Sequence, residues 1–301
     1  MEIIATIPPP HMAAKVQNIS NHPYVDAVRF NTGARSSAPP LETLEQLLEL
    51  SRGKKFWLDL KGRQLRISKW AVPTYGDIIL NHKVSVDLPA QLVFRDGVQT
   101  TIVAIDGRKL FVDPPPPDAV GDGQAVNIRG DNLIIDGYLT QSDRAYINAA
   151  RKLGINNIML SFVEELSDVT SILNILPEAK IVLKIESEKG VDFVRKLDTL
   201  PENYNLMAAR DDLFVNLDDR KTVYDATKQF ISKDQRSIAA SRILTSLVDQ
   251  SMPSIGDLAD LKILYDQGYR RFMLNDSLCF NSDAFERAMD WLVSTKGGEA
   301  L

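Results

Sequence analysis

Cysteine is almost absent: Cys279 stands alone in 301 residues, and histidine occurs three times. A lone thiol excludes a disulfide framework within the chain and a thiolate metal cluster, and it fits a reducing compartment, with the cytoplasm as the expected location. The histidines offer little for imidazole chemistry. His11 follows a proline-rich turn, His22 precedes Pro23 in a loop, and His82 falls in a β-rich interval, so each reads as a turn or surface residue. Positive charge is not in excess: 35 Lys and Arg stand against 40 Asp and Glu, a formal net charge of −5. With no local basic cluster either, neither nucleic acid nor an anionic membrane is an expected partner. No apolar run reaches the roughly 20 residues that a membrane helix needs, and Met1 leads into EIIATI without the features of a secretion signal. Neither a Walker loop nor GxGxxG occurs, so a nucleotide would have to be held by other means.

What is present is alternation. Short apolar segments, EIIATI, DAVRFNT, KKFWLDLKG, NNIMLSF, AKIVLKIES, YNLMAARDDL, SIAASRIL and RRFMLND, read as eight strands. Helical patterns lie between them, among them LETLEQLLELS, QSDRAYINAARKLG, VDFVRKLDTL, KTVYDATKQFIS and GDLADLKILYDQG. Thr140 with Asp143, and Ser254 with Asp257, have the spacing of an N-cap followed by an acid three residues on. The repeat predicts an α/β fold, a TIM (β/α)8 barrel formed by 1–66 and 137–301. The interval 67–136 breaks the rhythm with QLVFRDG, TTIVAIDG, RKLFVD and Pro114 to Pro117. It predicts a small all-β domain inserted after the third strand, with Asp-Gly turns and a stiff proline connector.

Late in the strands the chain repeatedly writes a polar residue, any residue, then another polar residue: Arg29 and Asn31, Asp59 and Lys61, Lys184 and Glu186, Arg210 and Asp212, with Ser241 at the matching place on the seventh strand. Residues two apart on a strand share a face. The C-terminal mouth of a barrel is where inward polar groups form a site. Any one pair is equally well an ion pair closing the barrel, but uncompensated buried charge is costly, and four mixed pairs at one end favour a site. Glu186 and Asp212 are hard oxygen donors suited to Mg²⁺ or Mn²⁺. Arg29, Lys61, Arg66, Lys184 and Arg210 would meet a phosphate or carboxylate. A metal with converging cations suits phosphoryl transfer or an enolate formed beside a carboxylate.

The segments IIATIPPP, VRFNTGA, WLDLKGRQLRI, LTQSDRAYI, SFVEELSDV, LKIESEKGV, MAARDDLFV, IAASRILTSL and PSIGDLADLKILYDQGYRRFML resemble the pyruvate kinase family, in order and over nearly the whole chain. The resemblance implies a phosphotransferase acting on phosphoenolpyruvate, or a related enol phosphate, with ADP or another acceptor. It implies Lys184 as the lysine that stabilises the phosphoryl group and enolate, Arg29 as the phosphoryl contact, and Ser241 near the proton path. Glu186 and Asp212 would hold the divalent metal, Asp59 a K⁺ ion, and Asn31 and Arg66 the nucleotide and monovalent-cation region. The insertion lies where the family carries its lid domain, and the chain ends before the family's C-terminal regulatory domain. A homo-oligomer through the barrel is a further expectation.

The departures are specific. Gly33, Ala34 and Leu60 replace groups expected around K⁺, which leaves a K⁺ requirement open. Asp211 replaces a glycine whose backbone amide approaches the substrate carboxylate; strand alternation would point it away from Asp212. The family's SGET is NDSL at Asn275 to Leu278. Two alternatives stay open: a metal-dependent aldolase or lyase working through a pyruvate-like enolate, and a non-catalytic homologue.

Overall fold

The computed structural model describes every residue except Arg35, Thr74, Arg95, Asp96 and 297–301. It divides into two compact units, Met1–Leu60 with Ala145–Leu301, and Lys61–Arg144; the sequence suggested edges at 67 and 136.

The first unit is a closed barrel of eight parallel strands: β1 (Glu2–Ile7), β2 (Ala27–Asn31), β3 (Lys55–Leu60), β4 (Asn157–Leu160), β5 (Lys180–Ile185), β6 (Tyr204–Ala209), β7 (Ile238–Ala240) and β8 (Arg271–Leu274). Each strand pairs with its neighbour in sequence, and β8 closes on β1 with Glu2 opposite Arg271 and Ala5 opposite Leu274. The strands are apolar on both faces because one faces the interior and the other the surrounding helices, as parallel sheets require. Inside, Ile4, Ala27, Trp57, Met159, Val182, Met207, Ile238 and Met273, one from each strand, form a buried apolar cluster. This layer is the floor on which a polar layer stands.

The helices are α1 (Ala13–Asn21), α2 (Pro40–Leu50), α3 (Gln141–Lys152), α4 (Leu166–Leu173), α5 (Glu188–Lys196), α6 (Arg210–Asn216), α7 (Val223–Lys233), α8 (Ile255–Gln267), α9 (Asp276–Phe280) and α10 (Ser282–Lys296). At α8, Ser254 Oγ accepts the Asp257 N–H at 3.1 Å, but the Asp257 carboxylate turns to the Ser246 N–H and hydroxyl, so only half of a capping box forms. Cys279 is buried in α9, and burial pushes its thiol up to about 12.

The second unit follows β3. Five antiparallel strands run in the order Ile78–Ile79, Lys109–Asp113, Gln99–Asp106, Ala90–Phe94 and Val126–Arg129, with a separate pair, Val84–Ser85 and Ile134–Ile135. Leu80, Leu92, Ile102, Leu110 and Val126 are part of its own core. The Asp106-Gly107 hairpin is the expected turn, with Gly107 at φ +59°. In the other expected turn, Arg95 and Asp96 lie outside the described residues.

Three expectations change. Arg210 and Asp212 are not on a strand: β6 ends at Ala209 and α6 starts at Arg210, so the two-residue alternation does not apply to them or to Asp211. Ser241 follows β7 in the left-handed region at φ +68°, with Arg242 at +56° and Leu244 at +51°. His82 is buried rather than at the surface, its ring nitrogens 2.9 Å from Gly62 O and 3.2 Å from Asp136 O.

Candidate active site

Two residues beyond the apolar layer, Thr6, Arg29, Asp59 and Lys184 follow Ile4, Ala27, Trp57 and Val182 on the same faces of β1, β2, β3 and β5, and Ser161 follows Met159 just past the end of β4. On β6 and β7 the same step gives Ala209 and Ala240. The layer is therefore polar on one side of the barrel and small on the other.

Asp59 is its centre. Arg29 donates from Nε at 2.8 Å and from Nη2 at 2.5 Å to Asp59 Oδ2, and Lys184 Nζ lies 3.2 Å from each carboxylate oxygen. Lys184 also donates to Ser161 Oγ at 2.7 Å and sits 3.3 Å from Glu186 Oε1. Glu186 follows the end of β5, and its Oε2 accepts the Phe162 N–H at 2.7 Å. Phe162 is left-handed at φ +53°, which turns the chain leaving β4 so that its amide reaches Glu186. Arg29 Nη1 donates to Asp276 Oδ1 at 2.7 Å and to Thr6 Oγ1 at 3.2 Å, and Thr6 Oγ1 donates to Leu274 O at 2.7 Å.

Burial and neighbouring charge compete at each group. For Glu186 burial dominates; Lys184 opposes it, Asp212 and Asp59 reinforce it, and the carboxyl is pushed up to about 7. Burial alone would lower Lys184, but Asp59 and Glu186 outweigh it and raise the ammonium above its ordinary value. Arg29 is likewise raised, by Asp59 and Asp276 against burial. Asp212, from the first turn of α6, enters through its charge on Glu186 and Lys184.

Asp59, Glu186, Asp212 and Asp276 thus gather around Arg29 and Lys184. Among the described residues no group of three or more His, Cys, Asp and Glu forms a metal cage. Glu186 and Asp212 fit a hard ion that takes the rest of its shell from water and substrate oxygens, the habit of Mg²⁺.

Residues 49–274 match the family model described as the barrel domain of pyruvate kinase. The chain belongs to the pyruvate kinase family. Pyruvate kinase from Borreliella burgdorferi is 21% identical over 291 residues, covering 87% of this chain and 60% of that protein. The enzyme named pyruvate kinase in Thermoplasma acidophilum is 26% identical over 288 residues, covering 86% and 51%, and that of Methanocaldococcus jannaschii 24% over 265 residues, covering 80% and 58%. The chain spans about half to three-fifths of the length of these pyruvate kinases.

The remaining residues named for a pyruvate kinase site are placed as follows. Asn31 Oδ1 accepts the Gly33 N–H at 3.0 Å. In the second unit, Lys61 is buried and its N–H donates to Asp143 Oδ1 at 2.9 Å, while Arg66 donates to Gln64 Oε1 at 2.9 Å and Gly123 O at 2.6 Å. Arg210 is pinned by Asp260, by Ala240 O at 3.2 Å and by Ser241 O at 2.5 Å, so it holds the end of β7. Asp211 turns outward to Arg242 at 2.5 Å, both side chains exposed.

Sequence reasoning passed over three contributors. Ser161 was readable, since it is one alternation step from Met159. Asp276 lay in the NDSL segment behind Asn275, whose Oδ1 caps α9 by accepting the Leu278 N–H at 3.1 Å. The Phe162 amide had no signal, because a left-handed non-glycine residue leaves none in composition. Among the described residues, no helix is long and apolar enough to cross a membrane.

Proposed function

We propose that the chain is a pyruvate-kinase-like phosphotransferase that moves a phosphoryl group between phosphoenolpyruvate, or a related enol phosphate, and ADP or another acceptor. The observation that carries this reading is the convergence of Lys184 and Arg29 on Asp59, beside Glu186, at the end of the barrel strands. Phosphoryl transfer asks mainly for positioning and for fixed charge where charge develops. Lys184 is oriented from three sides by Asp59, Ser161 and Glu186, so its ammonium is held in place before substrate arrives.

In the reaction, the bond between phosphorus and the enol oxygen breaks and the phosphoryl group passes to an acceptor oxygen. The electron pair left on the enol oxygen is held against Lys184 until the adjacent carbon takes a proton. Arg29 orients the phosphoryl oxygens, and Ser241 stands near the proton path. Mg²⁺ or Mn²⁺ held by Glu186 and Asp212 would supply charge neutralisation to the transferring group. Asn31, Lys61 and Arg66 are assigned to the nucleotide, whereas Arg210 and Asp211, already engaged by Asp260 and Arg242, are given no direct contact. Asp59 is assigned as the counter-ion of Arg29 and Lys184, and turnover without K⁺ is expected.

The test is transfer from phosphoenolpyruvate to ADP by purified protein with Mg²⁺ or Mn²⁺, with and without K⁺, following pyruvate and ATP directly. Turnover that disappears in Lys184→Met supports the reading. Normal turnover in that variant overturns it, none in the wild type moves the assignment to another enol phosphate or acceptor, and an enolate signal without phosphoryl transfer moves it to a lyase.

A further inference from the structure

Four of the five N–H groups of Arg29 are directed at protein atoms: Nε and one of Nη2 at Asp59 Oδ2, and both of Nη1, at Asp276 Oδ1 and Thr6 Oγ1. Two-pronged recognition of a phosphate or carboxylate by guanidinium takes two N–H groups side by side. Among the described residues only one, on Nη2, is left without a partner. An incoming anion can therefore seat itself fully on Arg29 only where a carboxylate already sits.

The two resident carboxylates differ in what holds them. The Asp59 side chain is 2% exposed and serves Lys184 as well, so removing it strands two buried cations. The Asp276 side chain is 36% exposed, belongs to the first turn of the five-residue helix α9, and has Arg29 as its one ion pair among the described residues. It can swing into water at small cost.

We propose that Asp276 is an internal competing anion that covers the outer edge of Arg29 and is displaced by the arriving phosphoryl group, so that it sets how tightly this subsite takes phosphate. The inference rests on the assignment of Arg29 as the phosphoryl contact, and it adds a residue that tunes affinity without touching the reacting atoms. Replacing Asp276 by Asn removes the competing charge and keeps an amide oxygen that can still accept the Arg29 Nη1 N–H.

The experiment is calorimetric titration of inorganic phosphate, and separately of phosphoenolpyruvate, into wild type, Asp276→Asn, Asp276→Ser and the double variant Arg29→Lys with Asp276→Asn, all with Mg²⁺ at pH 8. Circular dichroism melts establish which variants are folded. Asp276→Asn and Asp276→Ser are expected to bind phosphate about three- to ten-fold tighter than wild type, the scale of one partly exposed charge contact. The gain is expected to vanish in the double variant, since Lys cannot present a second prong. Unchanged or weaker phosphate binding in both folded single variants, a gain that survives Arg29→Lys, or no phosphate binding by any variant overturns the proposal. A phosphate gain with no phosphoenolpyruvate binding or turnover leaves it standing and overturns the enol-phosphate assignment instead.

Discussion

Glu186 is a carboxylate placed among carboxylates, and its two oxygens face different demands. Oε2 needs the Phe162 N–H, and Oε1 faces the Lys184 ammonium at 3.3 Å. An amide cannot meet both: with its oxygen on Phe162, its NH₂ abuts Lys184. Glu186→Gln is therefore expected to weaken Mn²⁺ binding about a hundred-fold, at the upper end of what loss of a supporting contact costs. Titration of Mn²⁺ followed by its paramagnetic resonance signal checks this without reference to turnover, and unchanged affinity would place the metal elsewhere. At this scale the sequence spoke through period. Alternation along β2, β3 and β5 puts Arg29, Asp59 and Lys184 on one face, and the structure brings them within hydrogen-bond distance. It said nothing about Asp276, whose meeting with Arg29 spans 247 residues, or about an amide aimed by a left-handed turn.

Among the elements, α3 shows how one acid secures a junction. Asp143 is buried, and it accepts from the Thr140 N–H at 3.0 Å, the Thr140 hydroxyl at 2.7 Å and the Lys61 N–H at 2.9 Å, while Thr140 Oγ1 accepts the Asp143 N–H at 3.0 Å. The capping box read from the sequence thus also binds the chain where it leaves β3. Asp143→Ala leaves the Lys61 and Thr140 amides without their acceptor and is expected to cost about 2–3 kcal/mol, against about 1 kcal/mol for an ordinary cap lost in Ser254→Ala. Urea denaturation of the two variants side by side checks the ranking; equal losses would reduce Asp143 to a cap. The helix that escaped the sequence, α6, explains itself. MAARDDLFV passes from strand to helix without Gly, Pro or a capping side chain, since the N-cap position is Ala209. The boundary mark it does carry is the acidic pair Asp211 and Asp212 in the first turn, which the alternating polar pattern Arg210 and Asp212 hid.

For the whole molecule the decisive event is closure, where the first strand meets the last. Glu2 carries that seam: Arg271 Nε donates to Oε2 at 2.6 Å, and Lys55 Nζ lies 3.5 Å from Oε1. Burial would raise this carboxyl, but Arg271 and Lys55 overcome it and hold Glu2 below the ordinary carboxylate range. A lowered folded-state value means a contribution fully present above about pH 4.5 and lost as pH falls through that lowered value. Glu2→Gln is expected to lose about 1–2 kcal/mol at pH 7, with the deficit shrinking toward pH 3 as the wild-type carboxyl protonates. Denaturation midpoints at both pH values test it; a deficit that grows in acid would refute the seam. Eight segments of the right length and period made the barrel legible, because a parallel sheet buried on both faces must be written in short apolar runs. The strand ends were less legible, since β7 is only three residues long and yields at once to left-handed backbone.

The apolar layer below Lys184 has a last consequence. Met159, Met207 and Met273 close the barrel around Trp57, whose indole N–H finds no polar partner among the described residues. The barrel is thus filled rather than hollow beneath Lys184, and its floor carries an indole donor set in apolar packing.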